Sequence, residues 1–409
     1  MNPIIIIGAG LAGWTTAREF RKLDRSTPVM LITADSGDFY AKPSLSNAFA
    51  QGRAPAQLIS TPATRMVETL QLILLAHTRV TAVNPVTRMI STDQGAFGYS
   101  QLVLATGAQP IRVPLAGDAA DQVQSINSLD DFSAFHARLT SGSSHENEST
   151  SEPAERPKKH VLIMGAGLIG CEFANDLAAT GYQVSVVDPA AGPIAALLPA
   201  HASTQLREAL AALGVHWHFG ATVTAMNRGA DAHRSALQVE LSNGQLVPVD
   251  RVLSAIGLRA DTTLAQAAGL RCERGVVVDA TLQTSSPHIF ALGDGAQYAA
   301  GSWNDAGSPA VSGGRTLPYV MPIMNAARAL AATLAGTRTE LVFPLMPVLI
   351  KTPALPMVVA APAPGTAGDW RSAEPGLWQF IDAQGQVRGF VLSGQHTSRR
   401  AEQAKRVIA

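Results

Sequence analysis

Residues 4–13 read IIIIGAGLAG and residues 161–170 read VLIMGAGLIG, two apolar runs that each end in the spacing Gly-x-Gly-x-x-Gly. The first copy is Gly8, Ala9, Gly10, Leu11, Ala12 and Gly13; the second is built on Gly165, Gly167 and Gly170. In a strand–turn–helix setting these glycines do phosphate chemistry. The first permits a tight turn, the second lets the backbone approach a pyrophosphate, and the third lets the helix pack on the strand, so that the helix N-terminus faces the anion. One copy is weak evidence, but two in the same context imply two dinucleotide sites. A chain with two such sites is built to pass electrons between two nucleotides.

The elements around the motifs agree. Leu11 to Leu23 has helical spacing and Val29 to Thr33 returns as a strand, which makes a βαβ unit. After the second motif, VSVVDP places Asp188 at the tip of the next strand, 23 residues after Gly165. A carboxylate there bonds an adenosine 2′-hydroxyl and repels a 2′-phosphate, favouring NADH over NADPH; the alternative is a turn aspartate before Pro189. Asp35, 25 residues after Gly10, reads the same two ways, as a ribose acceptor or a turn former. VDRVLSAIG at 249–257 and HIFALGDG at 288–295 read as short strands, and a helix is predicted from about Pro322 to Ala335. In the remainder, 341–409, AQGQ reads as a hairpin turn within a small α/β unit. The polar stretches 141–157 and 299–314 read as surface insertions, the first too poor in apolar residues to repay its ordering entropy.

Composition narrows the function classes. The chain has 409 residues, 46% of them hydrophobic, enough for more than one core. Lys plus Arg and Asp plus Glu balance at 31 each, so nothing points to nucleic acid or a membrane surface. Cys171 and Cys272 form no CxxC or CxxxxC pair, which argues against a metal site and against a redox disulfide. Met1-Asn2-Pro3 leads straight into the first strand with no basic region or cleavage site, so the expectation is a soluble cytoplasmic protein.

Further motifs carry a resemblance. ITAD at 32–35, YAKPSLS at 40–46, HTRV at 77–80, GLIGCEFANDL at 167–177, ALGD at 291–294, YVMP at 319–322 and KTPA at 351–354 make the chain similar, nearly end to end, to the pyridine-nucleotide flavoprotein reductases of glutathione-reductase fold. Within them it most resembles the bacterial rubredoxin–NAD reductase family. The resemblance implies an α/β fold of two Rossmann-like domains, one for FAD and one for NAD, plus a small C-terminal α/β domain. The expected limits are 1–118 and 257–340 for the split FAD domain, 119–256 for the NAD domain and 341–409 for the C-terminal domain. It assigns FAD to Gly8–Gly13, Ala34, Asp35 and Val80, with Asp294 on a ribityl hydroxyl and Val320 opening a helix whose amides face the flavin.

The same resemblance implies the reacting centre. Lys42 and Glu172 are expected as a charge pair that orients the flavin, with Lys351 reaching it from the C-terminal domain. Read from sequence alone, Lys42 is an ordinary surface lysine, Glu172 a first-turn glutamate, Lys351 an edge-strand lysine, Val80 a strand valine and Asp294 a helix cap. Arg259 reads equally as a surface charge, and His396 has no cysteine pair to serve. The implied activity is hydride transfer from NADH to FAD, then single electrons to rubredoxin, feeding alkane hydroxylation or oxygen detoxification. A ferredoxin reductase, an NADH oxidase and, outside enzymes, an NADH-sensing interaction protein are the rivals.

Overall fold

A computed structural model describes residues 2–141, 158–229, 236–299 and 314–407. Most of the two polar insertions, at 142–157 and 300–313, lies outside the described residues. The continuous apolar runs become central strands of parallel sheets, as expected for strands covered on both faces. Ile4–Ile7 is fully buried and pairs in parallel with Val29–Ile32 on one side and Gln101–Leu104 on the other. Strands Ile289–Ala291 and Ile73–Leu75 complete this five-stranded sheet at its two edges.

The second sheet repeats the plan. His160–Met164 lies between Gln183–Asp188 and Arg251–Ser254, with Gln124–Ser125 and Val215–Phe219 outside them, all in parallel. The chain crosses between the two sheets twice, and the strands Ala108–Pro110 and Leu258–Ala260 pair antiparallel at the junction. Each sheet also carries a three-stranded meander, formed by Val80–Asn84, Met89–Thr92 and Gly95–Gly98 for the first and by Val223–Arg228, Leu237–Leu241 and Leu246–Val249 for the second.

The C-terminal unit is dominated by a five-stranded antiparallel sheet, in the order Val348–Ile350, Met357–Ala360, Val387–Ser393, Leu377–Asp382, Gly368–Glu374. The expected hairpin turn falls between Leu377–Asp382 and Val387–Ser393, where Asp382 accepts the Gln384 and Gln386 amides at 2.9 and 2.8 Å and the Arg388 Nε at 2.7 Å. The predicted helix near 322 runs Val320–Leu334, and it meets the first glycine-motif helix, Leu11–Leu23, through a Thr15 Oγ1 to Met324 Sδ contact of 3.8 Å. Among the described residues no helix is long and apolar enough to cross a membrane.

Candidate functional site

The two glycine motifs adopt one backbone solution. Gly8 and Gly165 have φ of +108° and +100°, a region closed to side chains, and a Cβ on either would strike the carbonyl of Ala105 or Ala255 at 2.3 or 2.6 Å. Gly13 and Gly170 are as tight: a Cβ would sit 1.9 Å from the Gly8 or Gly165 carbonyl oxygen. Gly10 and Gly167 differ, since a Cβ there meets nothing within 4 Å. They border open space at the head of a helix, and each is an N-cap with no side-chain hydrogen bond, at φ −75° and −73° with ψ −171° in both. The first-turn amides are thus left for an outside acceptor, which suits a pyrophosphate.

Around the first cradle stand groups that a flavin dinucleotide would satisfy. Asp294, in the tight turn Gly293–Gly295, has a buried Oδ1 with no hydrogen-bond partner. Burial pushes its carboxyl up, opposed by the Lys42 ammonium nearby. A buried acceptor of this kind calls for a donor, and a ribityl hydroxyl fits. Lys42 opens the short helical turn Lys42–Asn47. It keeps exposed surface, yet its ammonium sits among packed atoms that lower its pKa, while Asp294, Asp131 and Asp35 raise it. Asp35 acts as a turn former: its Oδ1 accepts the Thr33 hydroxyl at 2.6 Å and the Gly37 amide at 3.0 Å. Val80 opens a strand and packs against the core, and Val320, partly exposed, opens its helix after Tyr319, an N-cap without a side-chain bond.

At the second cradle Asp188 is already engaged. Its Oδ2 accepts the Ala166 amide, inside the glycine motif, at 2.6 Å, and its Oδ1 accepts the Ala190 amide at 2.7 Å. The Ala166 carbonyl in turn accepts the Ile194 amide at 2.8 Å. The carboxylate is therefore a strut of the phosphate loop, with lone-pair positions remaining for a ribose hydroxyl.

The charged pair differs from expectation. Glu172, 7% exposed, forms its ion pair with Lys351 at 2.8 Å, not with Lys42. Lys351 offers the carboxylate two donors, its Nζ to Oε2 and its backbone amide to Oε1 at 3.2 Å, a fork that a single lysine tip cannot match. The Ser46 hydroxyl donates to the same Oε2 at 2.5 Å, and the Lys351 ammonium also bonds Ser46 and the Pro43 carbonyl. Lys42 instead donates to Asn127 Oδ1 at 3.1 Å. Lys351, directly after the edge strand Val348–Ile350, is thus a link from the C-terminal sheet into the junction.

Sequence reasoning passed over the rest of that junction. On the helix Leu168–Ala179, Asn175 Oδ1 accepts the Ala354 amide at 3.0 Å, and Asp176 accepts the Phe49 and Ala50 amides at 2.9 and 2.8 Å. Glu172, Asn175 and Asp176, all buried, recur at helical spacing on an otherwise apolar helix, a pattern visible in GCEFANDL. Ser46 and Asn127 left no such trace. Cys171 is buried and donates to the Ala166 carbonyl at 3.3 Å, Cys272 is partly exposed, and both are free thiols.

Two nucleotide cradles on twin parallel sheets, with a charged junction between them, define a two-dinucleotide oxidoreductase, and the comparisons agree. The family description "Pyridine nucleotide-disulphide oxidoreductase" matches residues 2–310, and "Rubredoxin binding C-terminal domain" matches 340–407. A rubredoxin-NAD(+) reductase of Alcanivorax borkumensis is 40% identical over 100% of this chain and 99% of its own length. A nitric oxide reductase FlRd-NAD(+) reductase of Aeromonas hydrophila is 38% identical over 97% of this chain and 94% of its own. The crystal structure of a ferredoxin reductase from Rhodopseudomonas palustris superposes with a TM-score of 0.83, at 25% identity, covering 100% of this chain and 96% of the other.

The chain belongs to the pyridine nucleotide-disulphide oxidoreductase family, an enzyme family that works with FAD and NAD(H). Its branch is the rubredoxin–NAD(+) reductases, with rubredoxin as partner of the C-terminal domain and no cysteine pair.

Proposed function

We propose that the first cradle holds FAD and the second NADH, with Asp294 on the ribityl chain, Asp188 both bracing the phosphate loop and meeting the adenosine ribose, and Lys42 and the Lys351–Glu172 pair flanking the isoalloxazine. Bound FAD supplies acceptance of an electron pair from NADH and release of single electrons to rubredoxin. The residues then have separable tasks. Helix N-termini hold the anionic groups, the three-way junction fixes the nicotinamide side against the flavin side, and packing around Glu172 excludes water. The observation that carries the reading is the unsatisfied, buried Asp294 Oδ1 beside the first glycine cradle, in the field of the Lys42 ammonium.

The domain limits proposed for this division are 1–118 with 257–340, 119–256 and 341–409. Rubredoxin would dock beside the N-terminus of the helix Val320–Leu334, where Val320, Met321 and, on the neighbouring segment, Leu345 are exposed. Asn325 joins the two segments of that face, donating to the Met321 carbonyl at 2.9 Å and to the Met346 sulfur at 3.6 Å. Exposed apolar side chains gathered near a redox group suit a short-lived electron-transfer encounter. With rubredoxin as carrier, the outlets we propose are alkane hydroxylation or oxygen detoxification. The similarity to the nitric oxide reductase partner proteins adds nitric oxide removal as a third outlet.

Stopped-flow mixing of the NADH-reduced holoprotein with rubredoxin, a flavorubredoxin and a ferredoxin tests this reading. Rubredoxin should be reduced fastest, and reoxidation by ferredoxin or oxygen at an equal or higher rate overturns the assignment.

A further inference from the structure

Asn127 sits at one crossing between the parallel sheets, between the strand Gln124–Ser125 and the helix Leu129–Thr140. Its side-chain amide is used in both directions: Nδ2 donates to the Ala108 carbonyl at 2.8 Å, at the start of the same crossing, and Oδ1 accepts the Lys42 ammonium at 3.1 Å. Because the NH2 group must meet the carbonyl, the amide oxygen has to face the lysine. The backbone behind it is equally held. The Asn127 and Ser128 amides donate to Asp131 Oδ2 at 3.0 and 2.9 Å, and the Leu129 amide donates to the hydroxyl of Tyr40, two residues before Lys42, at 3.1 Å.

Two lysines therefore approach the proposed flavin site in different company. Lys351 is in a 2.8 Å ion pair with Glu172, whereas the hydrogen-bond acceptor of Lys42 is a neutral amide, and Asp294, Asp131 and Asp35 act on its charge through space rather than by direct contact. We infer that Asn127 is a positioning residue that holds the Lys42 ammonium against the flavin without cancelling its charge, so that this charge favours the reduced, anionic cofactor and raises its reduction potential. The inference rests on the reading that Lys42 faces the flavin. A carboxylate at position 127 would pair with the lysine and cancel its charge, and it would have no donor for the Ala108 carbonyl, which is why the residue type matters.

The test is the midpoint potential of bound FAD, read by dye-equilibrated titration of the holoproteins. Asn127→Ala should shift the reduction equilibrium about tenfold against the reduced form, roughly 30 mV for a two-electron couple. Asn127→Asp should shift it at least as far, and it keeps the inference testable if the alanine variant loses flavin. In a Lys42→Met background, Asn127→Ala should add nothing. If Lys42→Met lowers the potential but both Asn127 variants leave it unchanged, or if the Asn127→Ala and Lys42→Met shifts simply add, the positioning role is overturned while Lys42 keeps its place. If Lys42→Met leaves the potential unchanged, the reading of Lys42 falls and this inference falls with it.

Discussion

The Lys351–Glu172 pair can be tested by a double-mutant cycle of Glu172→Gln and Lys351→Met. At 2.8 Å the Coulomb attraction would be about 6 kcal/mol at an effective dielectric of 20. Most of that is offset. Glu172 is 7% exposed and loses its hydration on folding, while the Lys351 side chain, 33% exposed, keeps part of its own and screens the pair. We expect a coupling energy of about 2 kcal/mol, or a roughly thirty-fold discrepancy between the double variant and the product of the singles. The backbone bond from the Lys351 amide survives the lysine substitution, so the cycle reports the ammonium alone. The assay is urea unfolding of the holoprotein, followed by flavin release. The same cycle with Lys42→Met in place of Lys351→Met should give coupling below about 0.5 kcal/mol, the usual scatter for residues that do not touch. Equal coupling in both cycles, or none in the first, refutes the reasoning.

Other expectations are as direct. Gly10→Ala should fold but bind FAD weakly, because its Cβ enters the open cradle, whereas Gly13→Ala should fail to fold, because its Cβ meets the Gly8 carbonyl oxygen at 1.9 Å; circular dichroism and flavin content separate the two. In the native protein a thiol reagent should titrate Cys272 slowly and leave Cys171 untouched, since burial pushes the Cys171 thiol far up, and both should react after denaturation. Burial also raises the Asp176 carboxyl above its unfolded value of 3.8, so the folded state favours the proton and the residue's contribution to stability falls as pH rises through the folded value. Asp176→Asn should therefore cost less stability near pH 7 than near pH 4.5, and a cost that does not vary with pH in urea titrations counts against the shift.

Much of this molecule was legible from residue order because local physics dictated it. The apolar runs before Gly8 and Gly165 have one stable use, as covered parallel strands, and the glycines after them have one backbone solution. The hairpin at AQGQ and a helix from about Pro322 followed from turn and periodicity signals in the same way, while the start of that helix at Val320 came from the resemblance. Partner choice at the junction was not legible. Lys42 and Lys351 are 309 positions apart, and which one meets Glu172 depends on how the C-terminal sheet seats against the helix Leu168–Ala179, a tertiary matter with no local signature. Asp188 shows the same limit in smaller form. Its place at a strand tip was evident, but its bond to Ala166 depends on the path of the loop after it.

The helix Leu168–Ala179 also bears on how this chain could be divided by evolution or by design. It opens at the second glycine motif, and three of its buried side chains satisfy donors on two distant stretches, at 46–50 and at 351–354. Cutting the carrier-binding part away from the nucleotide-binding part would take the Lys351 donors from Glu172 and the Ala354 amide from Asn175, leaving a buried carboxylate with only Ser46 as donor and a buried amide oxygen with no donor, while Asp176 would keep the Phe49 and Ala50 amides. Such a module could be transplanted only together with its neighbours, because the specificity for a carrier at one end and for a coenzyme at the other are bolted to the same rod. New carriers would therefore be reached by resurfacing the C-terminal sheet rather than by exchanging it.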